Sequence, residues 1–101
     1  MNNEEIEKEI IEKGLTAPRV SLEDINNVIE SEMYYIFPGT MLTVCCLTLK
    51  NGFHVIGESA CVDPDNFNKE TGEKISRGKA FNQIWPLEGY RLKQKMFEEN
   101  K

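Results

Sequence analysis

The side chains able to do chemistry are few and scattered. His54 is the only histidine, and a lone imidazole can serve as an acid/base group or a metal ligand. The residues that could join it are Cys45, Glu58 and Asp63, but zinc sites show tighter Cys/His spacing than these positions offer. A cysteine nucleophile needs a base partner or electropositive surroundings. Cys45, Cys46 and Cys61 have neither nearby in sequence and read as small buried hydrophobes. Glu58, Asp63 and Asp65 gather carboxylates that could hold a divalent cation, yet acids in such a stretch also make turns and helix N-caps, which is the reading adopted. The sequence therefore predicts no catalytic residue, no metal site and no cofactor, and the chain is read as a non-enzyme.

A different constellation lies in the C-terminal third. Arg77, Lys79, Arg91, Lys93 and Lys95 make it locally basic, with Trp85 and Tyr90 interleaved. Stacking combined with charge is how a nucleotide or a single strand is held. The competing reading is a solvated helix face with two core aromatics, which the acidity of the whole chain favours. The run Trp85-Pro86-Leu87-Glu88-Gly89-Tyr90 is either a kinked junction seating Trp85 on the core or a rim for a ligand or partner, since aromatics are enriched at binding hot spots. Trp85, Tyr90, Arg77, Arg91 and Glu88 are the candidate binding residues.

The element that must position them is Leu42–Val62, two apolar, β-branched runs joined by Asn51-Gly52, a strong hairpin signal. A two-residue turn sets Leu49 opposite His54, Cys45 opposite Glu58, Cys46 opposite Gly57 and Leu42 opposite Cys61. Cys46 then lies a full pleat from Cys61, so no disulfide is expected. Both faces of this hairpin carry apolar residues, whereas a sheet with one wet face alternates apolar with polar. One face is therefore expected to be covered by a partner chain, which favours a homodimer. Gly57 marks a spot where a helix or ligand backbone could approach closely.

Around the hairpin, residues 2–13 read as a charged helix with a narrow stripe of Ile6 and Ile10, ending at Gly14. Residues 15–20 form an extended linker. Ser21 caps a second helix that buries Leu22, Ile25, Val28 and Ile29 and ends near Ser31. Met33–Phe37 is a third strand, and Pro38-Gly39 a type II turn. A long helix from about Phe67 carries Phe67, Thr71, Ile75, Gly78, Phe81 or Asn82, and Trp85 on one stripe and is broken near Pro86. The fold class is α+β: a small antiparallel sheet centred on the 42–62 hairpin, with N-terminal helices and that broken C-terminal helix. Residues 1–13 are read as a charged helical extension and residues 14–98 as a single domain.

Length and charge bound the rest. A chain of 101 residues is one domain, and with 40% hydrophobic and 29% charged residues it has the composition of a folded protein. The net charge of -5 argues against a nucleic-acid partner, because phosphate-backbone binding needs Lys and Arg to displace counterions. No secretory signal and no run near the ~20 apolar residues of a membrane span are present, so a cytosolic protein with reduced thiols is expected.

Pro18-Arg19, the stretch YYIFPGTMLTVCCLTLKNGFHVIGESACVDPDNF (residues 34–67) and IWPLEGYRL (residues 84–92) resemble the gene product 49/66 family of small tailed-phage and prophage proteins. The resemblance runs from about Gly14 to Leu92 and leaves the charged N-terminal helix outside. It implies phage or prophage origin and a place in the host cytoplasm, and it carries over no catalytic residue. The expected function is that of a small accessory protein binding a host or phage protein during infection. The alternative is a protein that binds or sequesters a nucleotide-type small molecule, as in counter-defence.

Overall fold

Strand β2 (Leu42–Leu49) lies between β1 (Ile29–Ile36) and β3 (His54–Ala60) in an antiparallel meander. Helices α1 (Asn3–Glu12) and α2 (Leu22–Asn27) precede the sheet, and α3 (Lys69–Asn82) and α4 (Ile84–Glu99) follow it. The fold is thus α+β, as the sequence predicts. The structure is a computed structural model and describes residues 2–15 and 17–101. Thr16, within the extended linker expected over residues 15–20, lies outside the described residues.

Each element has a local cause. Ser21 and Asp24 form a reciprocal capping box: the Asp24 N–H donates to Ser21 Oγ at 3.1 Å and the Ser21 N–H to Asp24 Oδ2 at 2.9 Å. α2 ends four residues before the predicted stop, because pairing with β2 draws the next residues into β1. The Lys50 N–H donates to the Val28 carbonyl at 2.9 Å, and Ile29 already pairs with Leu49. Pro38-Gly39 makes the expected turn, with Gly39 at φ 76° and the Thr40 N–H on the Phe37 carbonyl at 3.0 Å.

The central hairpin differs from expectation by one residue. Its loop holds three residues, Lys50, Asn51 and Gly52, because the Gly52 N–H bonds the Leu49 carbonyl at 2.9 Å and the Leu49 N–H bonds the Phe53 carbonyl at 2.7 Å. Gly52 then takes the left-handed position at φ 90°, as in a type I turn with a G1 bulge. The pairing becomes Thr48 with His54, Cys46 with Ile56, Cys45 with Gly57 and Leu42 with Ala60. A one-residue slip changes which residues share a face. Val55 and Gly57 join Cys45 and Leu47 inside, while Ile56 and Glu58 share the outer face with Cys46 and Val44.

α3 covers the inner face, and small residues let it come close. A Cβ built on Gly57 would stand 2.2 Å from the Ser76 carbonyl oxygen and 2.4 Å from the Ala80 nitrogen, while one on Gly72 would stand 2.9 Å from Thr43 Oγ1. The buried stripe of α3 is therefore Gly72, Ser76 and Ala80 with Phe81; it shares Phe81 with the predicted stripe and is otherwise rotated from it. Phe67 and Ile75 are exposed, and a Cβ on Gly78 meets open space. The core gathers Ile25, Leu47, Leu49, Val55, Phe81 and Ile84. The helix breaks at Gln83, three residues ahead of Pro86, which occupies the first turn of α4 where its missing N–H leaves no gap.

The Thr43 hydroxyl is fully buried and has no hydrogen-bond partner among the described residues. Removing it while keeping the side-chain shape relieves a desolvated polar group. Thr43→Val is expected to raise stability by about 1 kcal/mol, read as a higher urea midpoint at unchanged slope; a lower midpoint would show that the hydroxyl is satisfied after all.

Candidate functional site

α4 sets four side chains along one face by the three-and-four spacing of a helix: Glu88, Arg91, Leu92 and Lys95. Opposite them lie Arg19 and Val20, which lead into α2, and Asp24, Asn27 and Val28 of α2 and its C-cap. Together these enclose a cavity of about 420 Å³, within the usual range for small-molecule sites.

Two ion pairs organise its cations. Arg19 Nη1 and Nη2 donate to Glu7 Oε1 and Oε2 at 2.6 and 3.1 Å, and the Leu22 N–H, unpaired within its own helix, donates to the same Glu7 Oε1 at 3.1 Å. One carboxylate of α1 thereby fixes Arg19 and caps α2. The Arg19 hydrogen bond holds the Glu7 carboxyl below the ordinary carboxylate range against the opposing effect of burial. On the other wall, Arg91 Nε and Nη2 donate to Glu88 Oε2 at 3.0 and 2.7 Å. The Glu88 side chain is 13% exposed and that of Arg91 72%, so the carboxylate is seated and the guanidinium reaches into solvent. Lys95 makes no ion pair among the described residues.

The Glu7 interaction has a sign. A carboxyl whose pKa is lower folded than unfolded contributes stability that is present above its unfolded pKa, ordinarily near 4.5, and is lost as pH falls through the folded value. α1 is therefore expected to loosen below pH 4.5 before the sheet unfolds. Hydrogen exchange at the Leu22 amide reads this directly: its protection should fall in acid in the native chain. In Glu7→Gln it should be low already at neutral pH. Equal protection in both chains at pH 7 would overturn the role given to Glu7.

The five predicted binding residues do not form one site. Glu88 and Arg91 wall the cavity. Trp85 is half-buried against the core, edge-on to Phe81 with ring centroids 6.5 Å apart. Tyr90 is 74% exposed on α4 and is not one of the cavity walls. Arg77 is tied to β1, with its Nε on Glu32 Oε2 at 3.2 Å and its guanidinium 5.7 Å above the Phe81 ring. Arg19 and Asp24 are the residues that sequence reasoning missed. Arg19 is brought to Arg91 from 72 positions away by the packing of α2 against α4, which leaves no local signal.

The remaining chemical groups have structural partners or stand apart. Cys45 is fully buried, and burial pushes its thiol up, away from the thiolate. Burial likewise raises the Tyr34 phenol, assisted by its hydrogen bond to Glu32. Asp63 Oδ1 accepts the Asp65 N–H at 2.9 Å and caps a short 3-10 turn over Pro64–Asn66. Among the described residues no three His, Cys, Asp or Glu side chains are grouped to hold a metal ion, and no helix is long and apolar enough to cross a membrane. A larger groove of about 690 Å³ runs between α1 and α2, but Glu4, Glu7, Glu12 and Glu23 line it and give it the wrong sign for an anion.

No curated protein and no solved structure matches the chain. The model of the family described as Phage protein (N4 Gp49/phage Sf6 gene 66) matches residues 20–96, which takes in α2, the sheet, α3 and most of α4 and leaves α1 outside. With that match covering most of its length, the chain belongs to the N4 Gp49/phage Sf6 gene 66 family of phage proteins.

Proposed function

We propose that this is a non-enzymatic phage accessory protein that works in the host cytoplasm by binding and holding a small anionic molecule of nucleotide type, a means of withdrawing a signal used in host defence. The observation that carries the reading is the cavity between α2 and α4, where Arg19, Val20 and Val28 face Arg91, Leu92 and Lys95. A guanidinium has five donors, and the Glu88 pair occupies only Nε and Nη2 of Arg91. Donors therefore remain for phosphate oxygens. Asp24 and Glu88 suit the other end of such a ligand, since carboxylates accept from ribose hydroxyls and base amino groups. A bare inorganic anion has nothing to offer them. The apolar wall suits the face of a base or ribose.

Calorimetry and thermal shift against linear and cyclic nucleotides test the reading. A ligand at 100 times its Kd adds ~2.7 kcal/mol, which for a chain of this size raises Tm by roughly 10–20 °C. The double variant Arg91→Ala/Lys95→Ala, at two exposed positions, should fold normally and lose the shift. A shift that survives in the variant would place the ligand elsewhere.

A second reading, in which the bound partner is a host or phage protein, is favoured by the open groove between α1 and α2, where Ile11 is 68% exposed beside Leu22. Affinity capture from infected cells distinguishes it by a partner lost in Ile11→Asp. Self-association as a homodimer, expected from the apolar residues on both hairpin faces, is compatible with either reading.

A further inference from the structure

We propose that the open face of the sheet is the interface between two copies of this chain. This gives a location to the homodimer expected from the hairpin, rests on that part of the reading, and is independent of the ligand cavity. The face opposite α3 carries Met33, Tyr35, Phe37 and Ile56, which are 73, 54, 45 and 47% exposed, with half-buried Val44 and Cys46 between them on β2. Strand register makes them one patch: Met33, Cys46 and Ile56 lie in one row and Tyr35, Val44 and Glu58 in the next. Tyr35 and Phe37 meet edge-on with centroids 4.9 Å apart. The four exposed side chains alone offer roughly 450 Å², already as much as the largest patch of a typical monomer.

The whole chain is short of burial by more than that. A folded chain of 11.6 kDa is expected to expose about 5,800 Å², and this one exposes 7495 Å². Its radius of gyration is 16.6 Å, against about 13 Å for a closed domain of this length. The excess exceeds the ~800 Å² that each partner gives up in a standard interface.

A second copy fits the face for three reasons. Glu58 is the one carboxylate among the residues that the strand pairings place on this face, so two chains of net charge -5 can bring its apolar centre together without acids opposed there. The rows cross the middle strand at Val44 and Cys46, so a two-fold axis near β2 sets the same patch of each chain against the other, as an isologous contact requires. Sheets stack face to face about 10 Å apart, and stacking two of these two-layered molecules, each 18 Å in its thinnest dimension, encloses an apolar centre between two sheets with the helices outside.

Sedimentation velocity and light scattering on the full chain test this. Native protein should run at twice 11.6 kDa, and Tyr35→Glu/Ile56→Glu at 11.6 kDa with its far-ultraviolet circular dichroism retained. Should the double variant unfold, a second measurement decides. A short bis-maleimide should cross-link native chains through Cys46 on the face, giving a dimer band in Cys45→Ser/Cys61→Ser and none in Cys46→Ser. A monomeric native protein would overturn the proposal and leave the face to a partner of different sequence. A folded double variant that stays dimeric, or cross-linking that ignores Cys46, would overturn it by placing the interface elsewhere.

Discussion

Gly57→Ala is expected to lower stability by about 3 kcal/mol or more, at or beyond the upper end for overpacking a core. The reason is that the new methyl meets backbone, not a side chain able to swing away. Its Cβ would lie 2.2 Å from the Ser76 carbonyl oxygen and 2.4 Å from the Ala80 nitrogen. α3 must lift off the sheet, and the Gly72, Ser76 and Ala80 stripe then loses its closeness to β2 and β3. For a chain of about 100 residues the loss corresponds to a fall in Tm of roughly 15 °C. The comparison is Gly78→Ala on the same helix, where the added methyl meets open space. That substitution should stabilise by ~1 kcal/mol through helix propensity alone. Urea denaturation at matched protein concentration reads both, and equal midpoints for the two variants would mean that α3 does not rest on Gly57.

Ile84→Ala should cost about 3 kcal/mol. Ile84 opens α4, is fully buried, and belongs to the same cluster as Leu47, Val55 and Phe81. It anchors the start of α4, so its truncation leaves a cavity where α3, α4 and the sheet meet. Leu87→Ala, one turn along at 38% exposed, should cost less, about 1 kcal/mol, since more than a third of its surface stays in water and its loss leaves no enclosed cavity. Equal losses would overturn the packing given to α4.

A single residue in the hairpin loop propagates through the sheet. Asn51-Gly52 promises a turn and supplies one, but Gly52 closes a three-residue loop. Both loop lengths put Gly at a position with positive φ, so the local residues do not choose between them. What chooses is the inner face. In the observed register Val55 and Gly57 lie with Cys45 and Leu47 under α3, and Gly57 is the residue of β3 that lets the helix backbone approach. The stripe of α3 departs from expectation for a related reason. Periodicity weighs large apolar residues, so Phe67, Ile75 and Trp85 define the expected stripe, whereas the observed one joins the small residues Gly72, Ser76 and Ala80 to Phe81. The binding residues scatter likewise: Trp85 is drawn into the core and Arg77 to Glu32, while Glu88 and Arg91 meet Arg19 across the cavity.

The sequence by itself determined the α+β class, the strand and helix order, the capped start of α2, the Pro38-Gly39 turn and, by its motifs, the phage family, because these rest on residues close together in the chain. The tertiary structure alone decided the register of β2 on β3, the side of α3 that is buried, and the meeting of Arg19 with Arg91 and Lys95. Those depend on steric fit between backbones and on charges far apart in sequence. The apolar composition of both hairpin faces was legible from the start. Only the folded chain showed that α3 covers one of them and leaves the other, with Met33, Tyr35 and Ile56, open.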